Sequence, residues 1–403
     1  MRLVTIMVAA LVAVPAGATS AAASAADRSR PDRQLQQLLD AVHAAGMPGL
    51  FAEVRDGHDT WRGASGLADV RTGRPADPAS EHRIGSITKT FVATTVLQLV
   101  GEHRVRLDAP IGRYLPDVVG GRLGREVTVR MLLNHTSGIG NYTDALLATP
   151  EDIVSVGKRT FTPEELVAIG LALPPTGPPG ARFSYTNTGY IILGLLIERI
   201  TGHPYAAEVS RRILRPLRLR HTYFPGTNPY LPKPHLNAYV VWTDGRLRDF
   251  TVYNMSWGWS AGEMISTAHD LNVFYRALLS GRLLRPSLLA QMKTTVPFDP
   301  NAPERGGYGL GIGYMDLPCG RIWGHGGGVI GHTTESLHSE DGSRQVTEGE
   351  NLIGYETEGQ PSPIDDARVQ FLLQALCGTA GNATLRFTPR DLQLRDRLPM
   401  TTA

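Results

Sequence analysis

The stretch that most constrains the fold runs from His82 to Gly101. A short entry segment, His82-Arg83-Ile84-Gly85-Ser86-Ile87-Thr88-Lys89, passes into the apolar run Phe91 to Val100. A helix that is apolar nearly all round must sit inside the protein, so the chain has to wrap around this one. Gly85 permits a sharp turn, and Ser86 is suited to the N-cap or first turn. Ser86 and Lys89 stand three apart, one turn above each other on one helix face. A hydroxyl beside an amine at a helix N-terminus suits covalent acyl transfer: a neutral Lys can take the hydroxyl proton, and the helix end favours developing negative charge. Burial helps keep such a lysine neutral.

Lysine usage sharpens this reading. Of 40 Lys and Arg residues, only Lys89, Lys158, Lys233 and Lys293 are Lys. Arg cannot give up its proton, so a proton-accepting position requires Lys. A second Ser-x-x-Lys, Ser155 to Lys158, contains a Gly and is followed by Arg159-Thr160-Phe161-Thr162-Pro163. No apolar helix continues from it, and it reads as a surface loop.

Met1-Arg2, an apolar run from Leu3 to Val14 and the site Ala23-Ser24-Ala25 form the pattern of a secretory signal peptide over residues 1–26. The run is too short to span a bilayer, which leads to the expectation of a secreted, extracellular protein with no membrane span. Two cysteines, Cys319 and Cys377, then invite one disulfide; two buried thiols are the alternative. Net charge is +2, which gives no sign of a nucleic-acid partner. The histidines show no metal-ligand spacing, and no cofactor is indicated.

Along the chain, Asp32 to Ala45 carries apolar residues at helical spacing. Leu50 to Val54 and Thr60 to Ser65 read as strands around the hairpin turn Asp56-Gly57-His58-Asp59. From Leu107 to about Pro300, helices alternate with Pro/Gly punctuation, including an apolar helix from Ile191 and another from Thr267 to Leu279. Strands return at Arg321–His325, Gly331–Ser339 and Arg344–Leu352, the first two joined by a Gly-rich bend, and Asp365 to Leu376 reads as a closing helix. The domains expected are an α/β sheet domain built from residues 32–84 and 301–377, a helical domain at 85–300 and a tail at 378–403.

Two further motifs follow Ser86. Tyr185-Thr186-Asn187 precedes an apolar helix, where the phenol can share a proton with Lys89 and the amide can bond a substrate. His325-Gly326-Gly327-Gly328 lets backbone approach substrate closely, so the N–H groups of Gly328 and Ser86 can form an oxyanion hole.

With these motifs in order, together with Leu132-Leu133-Asn134-His135-Thr136-Ser137-Gly138 and Ser260-Ala261-Gly262, the chain resembles the serine β-lactamase and penicillin-binding-protein superfamily, in its branch of secreted DD-peptidases and class C-like β-lactamases and esterases. The likeness covers roughly residues 35 to 377. It implies an α+β fold, with an antiparallel sheet flanked by the N- and C-terminal helices and an inserted all-helical domain. It casts Ser86 as the acylated nucleophile, Lys89 as its proton partner and Tyr185 as general base or acid. Asn187 orients substrate, Trp257 lines the cleft, and His325, Gly326 and Gly327 form the substrate-binding strand. His135, Asn134 and His269 are left as structural.

The implied activity is first a D-alanyl-D-alanine carboxypeptidase on cell-wall peptides. The alternatives are a class C-like esterase or β-lactamase, and a catalytically silent peptidoglycan-binding homologue. The partners expected are a small peptide, ester or β-lactam, with the protein a monomer. One departure weakens the peptidase reading: penicillin-recognising relatives carry a hydroxyl, which holds a substrate carboxylate, where this chain has Gly326. Another is the trio Glu335, Glu348 and Glu350 on covered strands, which must reach water or a basic partner to escape a cost of several kcal/mol.

Overall fold

A computed structural model of the chain describes residues 18–355 and 362–378. Residues 1–17 of the expected signal peptide and 379–403 of the expected tail lie outside the described residues.

Helix α1 (Ala18–Ala44) starts well before the expected Asp32 and runs through the Ala23-Ser24-Ala25 site. Strands β1 (Gly49–Asp56) and β2 (Asp59–Asp69) form the expected hairpin, with Gly57 at φ +60° in its turn. Helices α2 (Thr88–Gly101), α3 (Asn187–Thr201) and α4 (Ala268–Leu279) follow. The chain returns as β3 (Gly313–Leu317), β4 (Gly320–Val329), β5 (His332–Ser339) and β6 (Arg344–Glu350), and closes with α5 (Pro363–Cys377). β1 pairs directly with β6, so the first hairpin and the last strands zip into one sheet of nine strands. Most helices of the segment between build the second core.

One face of the sheet buries Leu50, Ala52, Val54, Leu337 and Val346 against Leu35, Leu39 and Val42 of α1 and Leu372 and Leu376 of α5. The Cys319–Cys377 disulfide is formed and ties the β3–β4 turn to the end of α5, Cα to Cα 5.3 Å. α4, expected with the helical region, instead lies on the other face. Its Asn272 accepts from Thr347 Oγ1 at 2.8 Å and donates to the Glu53 carbonyl at 3.2 Å. The second core packs Phe91, Val92 and Val96 of α2 with Ile191, Ile192 and Leu196 of α3.

Two loop readings are corrected. Residues 150–156 form a short helix whose start is fixed by reciprocal bonds between Thr149 and Asp152. Ser155 and Lys158 are both exposed. The Gly-rich bend after His325 is strand: β4 continues to Val329, and the chain reverses at Gly331, φ +77°. Gly326 and Gly327 are there because their neighbours crowd in. A Cβ on Gly327 would lie 1.9 Å from the Ile84 carbonyl oxygen, and one on Gly326 would lie 2.5 Å from Glu335 Oε1.

The strand glutamates find a basic partner. Glu335 sits opposite Glu348 across β5 and β6, on the face covered by α5. Arg368 of α5 donates from Nε to Glu348 at 2.5 Å, lies 2.8 Å from Glu350 Oε1, and has its NH2 3.9 Å from Glu335. Thr333 donates to Glu350 at 2.8 Å. One guanidinium thus faces three carboxylates, all within 1% of full burial. Burial, reinforced by Glu350 and Glu335 and opposed by Arg368, pushes the Glu348 carboxyl up to about 8.

Candidate active site

The turn Gly85–Ile87 precedes α2 and carries Ser86 into the interior, 3% exposed. Ser86 is therefore not the helix cap; it sits in a 3₁₀ turn that hands over to the helix at Thr88. Gly85 adopts φ +51° and lies against β4, where a Cβ would meet Gly328 N at 2.9 Å. The Cβ direction of Gly327 ends 3.0 Å from Ser86 N. The turn and the glycine strand are thus packed backbone to backbone along residues 84–86 and 327–328.

Lys89 is fully buried one turn further on. Its Nζ is 2.7 Å from Ser86 Oγ, 2.7 Å from Asn187 Oδ1 and 2.9 Å from the Ala261 carbonyl oxygen. The carbonyl and the amide oxygen can only accept. An uncharged Lys89 that keeps two N–H bonds on them therefore turns its lone pair toward Ser86. Asn187, expected to orient substrate, also bonds the lysine through its Oδ1. Its Nδ2 is held by Asn141 Oδ1 and Thr143 Oγ1, both at 3.2 Å, which fixes the amide with its oxygen toward Nζ.

Tyr185 stands in the loop just before α3. Its ring centre is 4.9 Å from Lys89 Nζ on one side, and it stacks on His135 at 4.1 Å on the other. His325 projects from β4 toward the same lysine. Its Nδ1 lies 2.5 Å from the Gly326 carbonyl oxygen and its Nε2 2.8 Å from the Tyr308 hydroxyl. A carbonyl only accepts, so Nδ1 carries the proton and Tyr308 donates to Nε2. Burial first, and the charge of Lys89 whenever it is protonated, pull the imidazole down to about 3, so His325 is neutral.

Gly326 points the other way along the strand. Its Cβ direction runs into Glu335, on the face covered by α5, so a side chain at 326 would not enter the space beside His325. Trp257 is 4% exposed, and its carbonyl accepts from Tyr142, the residue between Asn141 and Thr143. It braces the lysine's support four residues before Ala261.

Ser86, Lys89, Tyr185, Asn187, His325, Gly327 and Gly328 are thus brought together. Sequence reasoning passed over Asn141, Thr143, Tyr308 and the Ala261 carbonyl, and left His135 as structural. Among the described residues, no group of three or more His, Cys, Asp or Glu side chains is placed to hold a metal, and no helix is long and apolar enough to cross a membrane.

Residues 32–336 match the family model described as Beta-lactamase. The chain is 34% identical over 209 residues to esterase EstB of Burkholderia gladioli, covering 50% of this chain and 52% of that protein, so it spans about half the length of this curated relative. Among solved structures it is similar to a D-stereospecific amidohydrolase from Streptomyces sp., with 40% identity and a TM-score of 0.77 over 86% of this chain and 98% of that one. It is also similar to the D-amino acid amidase of Ochrobactrum anthropi SV3 in complex with L-phenylalanine amide. There the identity is 27% and the TM-score 0.75, over 87% of this chain and 99% of that one.

Proposed function

The chain belongs to the beta-lactamase family of serine hydrolases, and from that premise we propose that it cleaves small amides of D-configured residues through an acyl-enzyme on Ser86. The observation that carries the reading is the position of the Lys89 amine, bonded at once to Ser86 Oγ, Asn187 Oδ1 and the Ala261 carbonyl.

Ser86 Oγ attacks the substrate carbonyl as its proton passes to Lys89 Nζ. The developing oxyanion is received by the N–H groups of Ser86 and Gly328. Tyr185, against the lysine, hands a proton to the departing amine, and water then releases the acid from Ser86. The D preference is supported by the likeness to the two amide hydrolases.

Release of a C-terminal D-alanine, the activity that the sequence favoured, requires a partner for the terminal carboxylate. His325, on the strand beside Ser86, is neutral and fully buried. A neutral imidazole there, and the likeness to two amide hydrolases, favour a neutral leaving group over a charged one. Ester cleavage is a second reading, supported by the likeness to esterase EstB. We further propose export, supported by the leader pattern of residues 1–26 and by the disulfide, a bond that persists in oxidising compartments.

The test compares D- and L-phenylalanine amide, and an acylated D-Ala-D-Ala peptide with a free or an amidated C-terminus. The D-amide and the amidated peptide should be the better substrates. Preference for the free carboxylate would overturn the neutral-leaving-group reading and return the protein to the carboxypeptidases.

A further inference from the structure

His135 closes the short helix Val129–Leu133 one residue beyond its Asn134 cap and adopts φ +59°, a left-handed backbone that sharply reverses the chain. It is fully buried. The reversal turns its carbonyl and its ring toward the same loop. Its carbonyl oxygen accepts from Ser184 N–H at 2.8 Å, and its Nδ1 accepts from Thr186 N–H at 3.2 Å. Between these two bonds its ring lies on that of Tyr185, centroids 4.1 Å apart and planes 27° from parallel. Three consecutive residues, 184 to 186, are held by one side chain and its own backbone. Loop residues seldom receive that much support, and these precede the α3 start where Asn187 bonds Lys89.

We infer that His135 is a positioning residue for Tyr185, which holds the phenol at the place from which it protonates the leaving group. The inference rests on the proton-donor role given to Tyr185 above. Because Nδ1 accepts from an amide, the ring proton sits on Nε2, and that N–H has no partner among the described residues. A second ring proton would point N–H against N–H at Thr186. Burial, above all, keeps the imidazole neutral. Phe183, Tyr190 and Tyr308 box the ring at 5.8, 5.2 and 4.7 Å, so it has one orientation available. Nothing in this arrangement places His135 on the substrate; it acts through Tyr185.

The choice of leaving group separates positioning from general support of the fold. A p-nitrophenolate departs as an anion without a proton, whereas an anilide nitrogen must receive one from Tyr185 as the C–N bond breaks. The experiment measures kcat and KM of the full protein on a D-phenylalanyl p-nitroanilide and on the matching p-nitrophenyl ester. The variants are His135→Phe, His135→Asn and Tyr185→Phe. His135→Phe keeps a ring but loses the acceptor for Thr186. His135→Asn keeps an acceptor near the Nδ1 position and tolerates the left-handed backbone, but loses the ring.

The Phe variant should lower kcat on the anilide by about tenfold or more and on the ester by less than about threefold, the scale of a small misplacement of a reacting group. The Asn variant should shift the same ratio in the same direction by less. Should the Phe variant fail to fold, the Asn variant decides on that ratio. If Tyr185→Phe separates the two substrates and the His135 variants lower both equally, His135 is merely structural and the inference is overturned. If Tyr185→Phe does not separate them, the proton-donor role of Tyr185 fails, and the inference with it.

Discussion

Replacing Glu348 by Gln should remove a pH dependence of stability that the native fold builds in. The Glu348 carboxyl is fully buried, faces two further carboxylates and shares one guanidinium with them. Its folded value of about 8 stands above the ordinary value of 4.5. Between these values the native state holds a proton that the unfolded state has lost. The sign follows: a carboxyl raised by folding is fully stabilising below about 4.5, and its contribution is lost as pH rises toward 8.

Over the interval from pH 6 to pH 8 this one proton amounts to about 2 kcal/mol. The introduced amide cannot ionise, yet it still offers an oxygen to Arg368 Nε. Glu263, buried and for that reason raised to about 7, contributes in the same direction and is common to both proteins, so the comparison cancels it. Urea unfolding followed by tryptophan fluorescence at pH 6, 7 and 8 is the assay. The native protein should lose about 2 kcal/mol more than the Gln variant across that range. Parallel pH profiles, or a steeper loss in the variant, would refute the reasoning: Arg368 would then be holding Glu348 ionised.

Lys89→Arg places a permanent cation beside Ser86 that cannot accept its proton, and kcat/KM should fall by about a thousandfold, as measured by initial rates on amide and ester. Gly326→Thr drives a Cβ to within 2.5 Å of Glu335 Oε1 and should lower the melting temperature, while Glu335→Ala in the same chain should recover part of the loss in calorimetry. Reducing the Cys319–Cys377 bond, which closes a separation of 58 residues, should cost about 4 kcal/mol in urea unfolding with and without reductant.

The part of the site that sequence revealed is the part fixed by local spacing. Ser86 and Lys89 are three apart, and helix geometry alone brings their side chains together. Lysine scarcity then singled out position 89. What stayed hidden depends on contacts between distant segments. The Ala261 carbonyl is a backbone group that no side-chain motif announces. Asn187 carries an amide fit for substrate and for lysine, and only its contacts with Asn141 and Thr143 show that its oxygen faces Nζ. The grip of His135 on residues 184 to 186 follows from one left-handed backbone conformation.

The fold shows the same division. The hairpin at Gly57 was legible because turn chemistry is local. The glycines of β4 were misread as a bend because their cause, the close approach of Ile84 and Glu335, lies elsewhere in the chain. Glu335, Glu348 and Glu350 were recognisable as needing partners. Their answer, Arg368, lies on α5, which the sequence placed in the right region without showing which face it turned inward.

The central claim is a covalent intermediate on Ser86. The direct measurement is intact-protein mass spectrometry on samples quenched within seconds of mixing with a D-phenylalanyl p-nitrophenyl ester, followed by peptide mapping, on native protein and Ser86→Ala. An added D-phenylalanyl group is expected on the peptide holding Ser86 and none in the variant. Turnover by the Ser86→Ala protein, or an acyl group mapped to another residue, would contradict that claim.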